Sequence, residues 1–82
     1  MFTCDVCFPD RTETIDMVTS AVFSTDHGEV QVLDGHAEAF FLLIEGQIVL
    51  TAEGQERMIR IGEGCGYVKG NALTFIAVPL AS

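Results

Sequence analysis

Positive charge is scarce in this chain: four Lys and Arg stand against twelve Asp and Glu, a formal charge of −8 over 82 residues. That balance excludes surfaces that grip nucleic acid or anionic lipid, because each phosphate contact needs a cation to displace a counterion. No apolar run approaches the roughly 20 residues of a membrane-spanning helix. The opening Met1-Phe2-Thr3-Cys4 lacks the basic start and apolar stretch of a secretory leader. A cytoplasmic location is the expectation. Cysteine occurs three times, an odd count that suits reduced thiols better than a disulfide framework. Cys4 and Cys7 make a CxxC with no second pair to complete a structural zinc site. The βαβ context of a thioredoxin-like motif is missing too, so these read as ordinary thiols.

What is present is apolar and β-branched. Hydrophobic residues make up 49% of the chain, enough for the core of a single domain over residues 1–82. A chain of this size buries only about 60 to 65% of its unfolded surface. Phe40 to Ile44 is an apolar run too short for a buried helix and is stopped by Glu45-Gly46, which predicts a strand covered on both faces. Ile48, Val49 and Leu50 resume the strand pattern. Glu45-Gly46 and Glu53-Gly54 predict two successive hairpins, since glycine tolerates the positive φ of a tight turn. Arg57, Ile59 and Ile61 share one face of the next segment, Met58 and Arg60 the other. Gly62, Gly64, Gly66 and Gly70 mark a sharp corner, and Leu73 to Val78 alternates into a last strand.

The first thirteen residues read as an irregular segment or a strand, with Phe8-Pro9-Asp10-Arg11 as a turn. Thr14 to Val18 and Ala21 to Thr25 read as two short strands; a helix from Thr12 competes, because Ile15, Val18 and Val22 lie at helical spacing. Glu29 to Leu33 is a further strand between the turns at Asp26-His27-Gly28 and Asp34-Gly35. The sum is an all-β domain with the outline of a small antiparallel barrel.

These residues resemble a cupin, the double-stranded β-helix or jelly-roll barrel with motifs G(X)5HXH(X)3-4E(X)6G and G(X)5PXG(X)2H(X)3N. Gly46 fits the closing glycine of the first motif, within FFLLIEGQIVL, and Gly62 and Gly70 fit the glycines of the second. The resemblance covers roughly Gly28 to Val78. The departures lie at the metal ligands. The glutamate column falls on Ala39, the histidine columns on Val32 and Asp34 or Leu33 and Gly35, and the last histidine and asparagine columns on Leu73 and Ala77. The resemblance thus implies a cupin wall without the usual metal site, since these side chains cannot donate the imidazole and carboxylate ligands it requires.

Three functional readings follow. The first is a metal-free barrel that binds a small molecule, lined by Phe41, Leu43, Arg57, Tyr67, Leu73 and Phe75, with Arg57 holding a carboxylate at the mouth or pairing with an acid. A second copy of the chain would cover the apolar outer face, giving a homodimer, unless the N-terminal segment folds over that face instead. The second reading is a divergent metalloenzyme that holds a divalent transition metal through His36 and Glu38, joined by His27 or Cys65; its plain counterpart is a solvated surface turn. The third is a structural or protein-interaction barrel packed solid. The Gly62-x-Gly64-x-Gly66 run is no phosphate loop, because neither a Lys-Ser/Thr pair nor a helix pattern follows it. No Ser/His/Asp set emerges from the spacing.

Overall fold

The computed structural model describes residues 1–80. In the first segment Phe2, Cys4, Val6 and Phe8 are buried while Thr3, Asp5 and Cys7 are half-exposed, the period of two that places alternate side chains on opposite sheet faces. This segment is strand β1 (Phe2–Cys7), so the N-terminus is regular. Arg11 closes the turn that follows by accepting the Phe8 N–H at 2.7 Å.

One strand, β2 (Thr12–Thr25), then runs 14 residues. It replaces both the two short strands and the competing helix expected from sequence. The break expected near Ser20 is instead a double irregularity inside one strand. Pairing with β1 shifts register between Phe2 and Cys4, and pairing with the later strand β5 (Gly46–Ala52) shifts between Val18 and Ser20. Met17 lies within the first of these shifts, between Ile15 and Val18, at φ 61°, a left-handed conformation that costs an L-residue about 1–2 kcal/mol. The bulge lets the strand bend, so its first half pairs with β1 and its second half with β3 (Gly28–Leu33) and β5.

The remaining strands are β4 (Ala39–Leu43), β6 (Gln55–Ile61), β7 (Gly64–Lys69) and β8 (Ala72–Ala77). They form two layers. One runs β4-β7-β8-β1 and ends on the first half of β2, with β1 parallel to β8; the other runs β3, second half of β2, β5, β6; one pairing, Thr25 with Leu43, links the end of β2 to β4 across the layers. The fold is an all-β sandwich. The core between the layers holds Cys4, Val6, Val18, Phe23, Ile48, Leu50, Leu73 and Phe75, each at most 1% exposed. Phe23 meets Phe75 edge-to-face at 4.9 Å and Phe41 at 5.2 Å, a geometry that aromatic quadrupoles favour.

Of the two expected hairpins, one forms. Glu53-Gly54 joins β5 to β6 with φ of 53° and 77°, the positive pair that a type I′ turn needs. Glu45-Gly46 instead carries the chain from one layer to the other: β4 pairs with β7, and β5 with β6 and β2. The expectation that both faces of β4 are covered is also corrected, since Phe40 and Leu42 face outward.

The glycine corner is a place of close approach. A Cβ on Gly64 would lie 2.1 Å from the Ile76 carbonyl oxygen, and one on Gly62 would lie 2.6 Å from Val78. Gly46 has open room by comparison, with its nearest neighbour, Ser24, at 3.9 Å. Gly64→Ala is therefore expected to destabilise the domain by about 1–3 kcal/mol through forced backbone displacement. Gly46→Ala is expected to stay within about 0.5 kcal/mol of the parent. Urea denaturation of the two variants side by side checks this, and equal midpoints would refute the close-packing account.

Candidate docking face on the β4-β7-β8 layer

Strand register sets out what this layer shows to solvent. Phe40, Tyr67 and Thr74 are cross-strand neighbours in one row; Leu42, Cys65, Ile76 and Cys7 form the next. Period-two alternation turns both rows away from the core. Phe40 is 64% exposed, Leu42 54% and Ile76 50%. Ile44 and Val78 extend the apolar surface at one end. A shallow recess lined by Cys7, Pro9, Cys65, Ile76 and Val78 lies within this region. Apolar side chains this concentrated on one sheet face make a contiguous patch, a candidate interaction surface rather than scattered exposure.

The residues expected to line a ligand site are divided by the same alternation. Leu43, Leu73 and Phe75 are buried in the core, Phe41 is half-buried against Phe23, and Tyr67 points outward. Arg57 does share the inward face with Ile59 and Ile61, and it pairs with an acid: its Nη2 donates to Glu13 Oε1. Arg11 Nε donates to the other carboxylate oxygen at 3.3 Å and its guanidinium stacks 4.5 Å above the Phe8 ring. This cluster ties β6 to the first half of β2 along one edge of the sandwich, so Arg57 is committed to Glu13 and not to a mouth. The expected container is corrected on physical grounds as well. The three phenylalanines occupy the centre, and the recess beside Phe2 and Leu73 has a volume of about 10 Å3, room for roughly one water.

The candidate metal ligands are dispersed. His36 lies in the loop after β3, its Nδ1 2.6 Å from the Ala37 carbonyl oxygen and its ring edge-on to Phe41 at 6.2 Å. Glu38 is exposed, His27 is 84% exposed beside Asp26, and Cys65 belongs to the outward row of β7. Among the described residues no three His, Cys, Asp or Glu side chains gather where they could hold a metal ion. Cys4 and Cys7, three apart on a strand, point to opposite faces, and all three cysteines are free thiols. The outward rows holding Phe40, Leu42 and Ile76 form an apolar outer face of the kind expected from sequence, although a continuous apolar run does not itself reveal which of its two faces is wet.

Fold and packing define a class: a small all-β sandwich with a filled core between its layers. The chain belongs to the family of the ATP synthase delta/epsilon chain β-sandwich domain, whose model matches residues 1–79. Two solved structures share the fold. One is a chain of the Tetrahymena thermophila mitochondrial ATP synthase central stalk and c-ring, with TM-score 0.80 and 10% identity over 99% of this chain and 66% of that one. The other is a chain of the Euglena gracilis mitochondrial ATP synthase OSCP/F1/c-ring, with TM-score 0.80 and 21% identity over 90% of this chain and 48% of that one. This chain thus spans about half to two-thirds of the length of those chains. Comparison with curated protein sequences gives no match.

These findings overturn the cupin resemblance, and with it the jelly-roll barrel, the small-molecule container and the two alternatives built on the same wall. The homodimer is corrected on the same ground, because the solved chains with this fold are parts of ATP synthase assemblies. No helix among the described residues is long and apolar enough to cross a membrane.

Cys4 supplies a measurable consequence of core burial. Desolvation pushes its thiol up to about 12, and the neighbouring Asp5 and Cys7 add to the rise. A thiol whose folded pKa lies above its unfolded value binds its proton more tightly when folded. Its stabilising contribution is complete below the ordinary thiol value of 9.0 and is lost as pH rises toward about 12. Stability of the parent is expected to fall over that interval, and Cys4→Ala to show a shallower fall. Chemical denaturation at a series of alkaline pH values checks this; parallel curves would refute it.

Proposed function

We propose that this chain is a subunit, or the sandwich part of one, in the central stalk of an ATP synthase, and that it docks onto another stalk subunit through the β4-β7-β8 face. The observation that carries this reading is the outward apolar row Leu42-Cys65-Ile76-Cys7 on a chain whose family is that of the ATP synthase delta/epsilon sandwich. A stalk component must hold its neighbours under torque, which calls for a stiff body and an external adhesive surface. The filled core supplies the stiffness, since close-packed interiors have low compressibility. The reading assigns no catalytic group and no cofactor to this chain. It puts the chain in the aqueous space beside a membrane complex.

Cys7 and Cys65 are native reporters for the docked state, because both flank Ile76 in the outward row. Maleimide is expected to label them in the isolated chain and to label them at least about tenfold more slowly in the assembled stalk, as burial at an interface core excludes reagent. Unchanged rates in the assembly would sink the docking assignment. Ile76→Asp is expected to leave the denaturation midpoint of the isolated chain nearly unchanged, because the site is half-exposed, and to abolish co-purification with the other stalk subunits.

Absence of a resident metal has its own test. Elemental analysis of untagged protein is expected to give well under one metal per chain. Stoichiometric metal that disappears in His36→Ala would overturn that part of the reading.

A further inference from the structure

The sandwich has two long seams where the edge of one layer faces the edge of the other, and they are finished differently. Along the seam between β6 and the first half of β2, the Glu13 carboxylate is held by Arg57 and Arg11. Arg57 is an inward-pointing charge on edge strand β6, one of the devices that keep free edges from pairing. Along the other seam, β3 faces β4. Here β3 pairs with β2 alone and has no register shift in its six residues. It carries neither Pro nor Lys nor Arg, so its second edge lacks the usual protection apart from Glu29. Beside it lies an open groove of about 470 Å3 lined by Val30, Phe40, Phe41 and Leu42, with Asp26 and His27 at its end. Asp26 N–H donates to the Leu42 carbonyl at 3.2 Å, which fixes the β2–β3 turn against β4 and holds that end of the groove in place.

We propose that the free edge of β3 accepts an extended segment of a partner protein as an added strand, its alternate apolar side chains resting in the Val30-Phe40-Phe41 groove and its basic residues facing Glu29. Strand addition satisfies the unpaired backbone groups of an edge, and pockets for alternate side chains supply selectivity. The groove lies on the inward side of such a strand, next to Val30 and Val32, while Glu29, Gln31 and Leu33 lie on its outward side. Charge decides the occupant. A second copy of this chain would bring another −8 to an acidic edge, whereas a Lys- or Arg-bearing segment gains cross-strand attraction. This inference goes beyond the docking face: the groove borders that face at Phe40 and Leu42, but the strand-accepting edge belongs to β3 on the opposite layer.

The test uses the full chain labelled with 15N and a seven-residue capped peptide of alternating valine and lysine. Amide shifts are expected to concentrate at residues 28–33 and 40–42. Glu29→Lys is expected to weaken the peptide about fivefold, the scale of a cross-strand charge pair turned from attraction to repulsion. N-methylation of the peptide amides on the β3 side is expected to weaken it more than about tenfold by removing several hydrogen bonds. An alternating valine-glutamate peptide that binds equally well would overturn the proposal. So would shifts confined to the Cys65 and Ile76 face, a dimer paired through β3, or no shift at millimolar peptide.

Discussion

The sheet switch within β2 is the constraint on which the rest of the structure depends. One strand supplies Ile15 and Val18 beneath β1, then Ala21 and Phe23 between β3 and β5. It can serve both layers only by bending, and the bend is made by Met17 in left-handed backbone within the register shift against β1, with the shift against β5 directly after it. Remove that bend and the two layers lose their common member; Phe23 could no longer lie between Phe41 and Phe75. The local strain persists because the surrounding pairing over-determines it. It is offset by burial of large side chains on both halves, each worth about 1.5–3 kcal/mol when fully enclosed.

A filled interior has a direct consequence for function. The Phe41 and Phe75 rings both meet Phe23 edge-to-face and fill the centre between the layers. Polar groups in the interior are few and satisfied: Thr25, the buried polar residue, donates from Oγ1 to the Gly28 carbonyl at 2.7 Å and accepts from the His27 N–H at 3.1 Å. The glycines act in the same direction. At Gly62 and Gly64 they let the turn between β6 and β7 lie directly against the end of β8, which is a packing requirement and not a ligand cradle. Selectable differences among chains of this shape must therefore lie on the outer faces and free edges.

Much of the local structure was legible in the sequence, and the global arrangement was not. Glu53-Gly54 announced its hairpin, Phe8 to Arg11 its turn, and the alternation of Arg57, Ile59 and Ile61 its buried face, because each signal involves neighbours in the chain. Strand pairing is different. Nothing in Glu45-Gly46 says whether the strands it joins pair with each other or part to opposite layers, and that decision separates a meander from this sandwich. The cupin likeness arose from Gly46, Gly62 and Gly70, residues that any antiparallel fold needs at crossings and tight turns; Gly70, for instance, has φ 60° at the β7–β8 turn. The residues specific to a cupin were the ones missing, so spacing of glycines had stood in for chemistry. The parallel pairing of β1 with β8 joins the two ends of the chain and left no local mark.

The docking face and the β3 edge meet different physical needs, and their magnitudes show why one alone is insufficient. Phe40, Leu42, Tyr67 and Ile76 are already about half-covered, so enclosing what remains of them recovers roughly 4–5 kcal/mol. Association costs about 4–15 kcal/mol in lost rigid-body freedom, so this apolar patch by itself yields a weak encounter. A second contact made by the same assembly, such as a strand on β3, incurs little further rigid-body cost because its effective concentration is set by the first. Two modest attachments hold a partner without the exposure that one large apolar surface would require. A large surface would leave the free chain prone to aggregate, a hazard that the −8 charge here already counters.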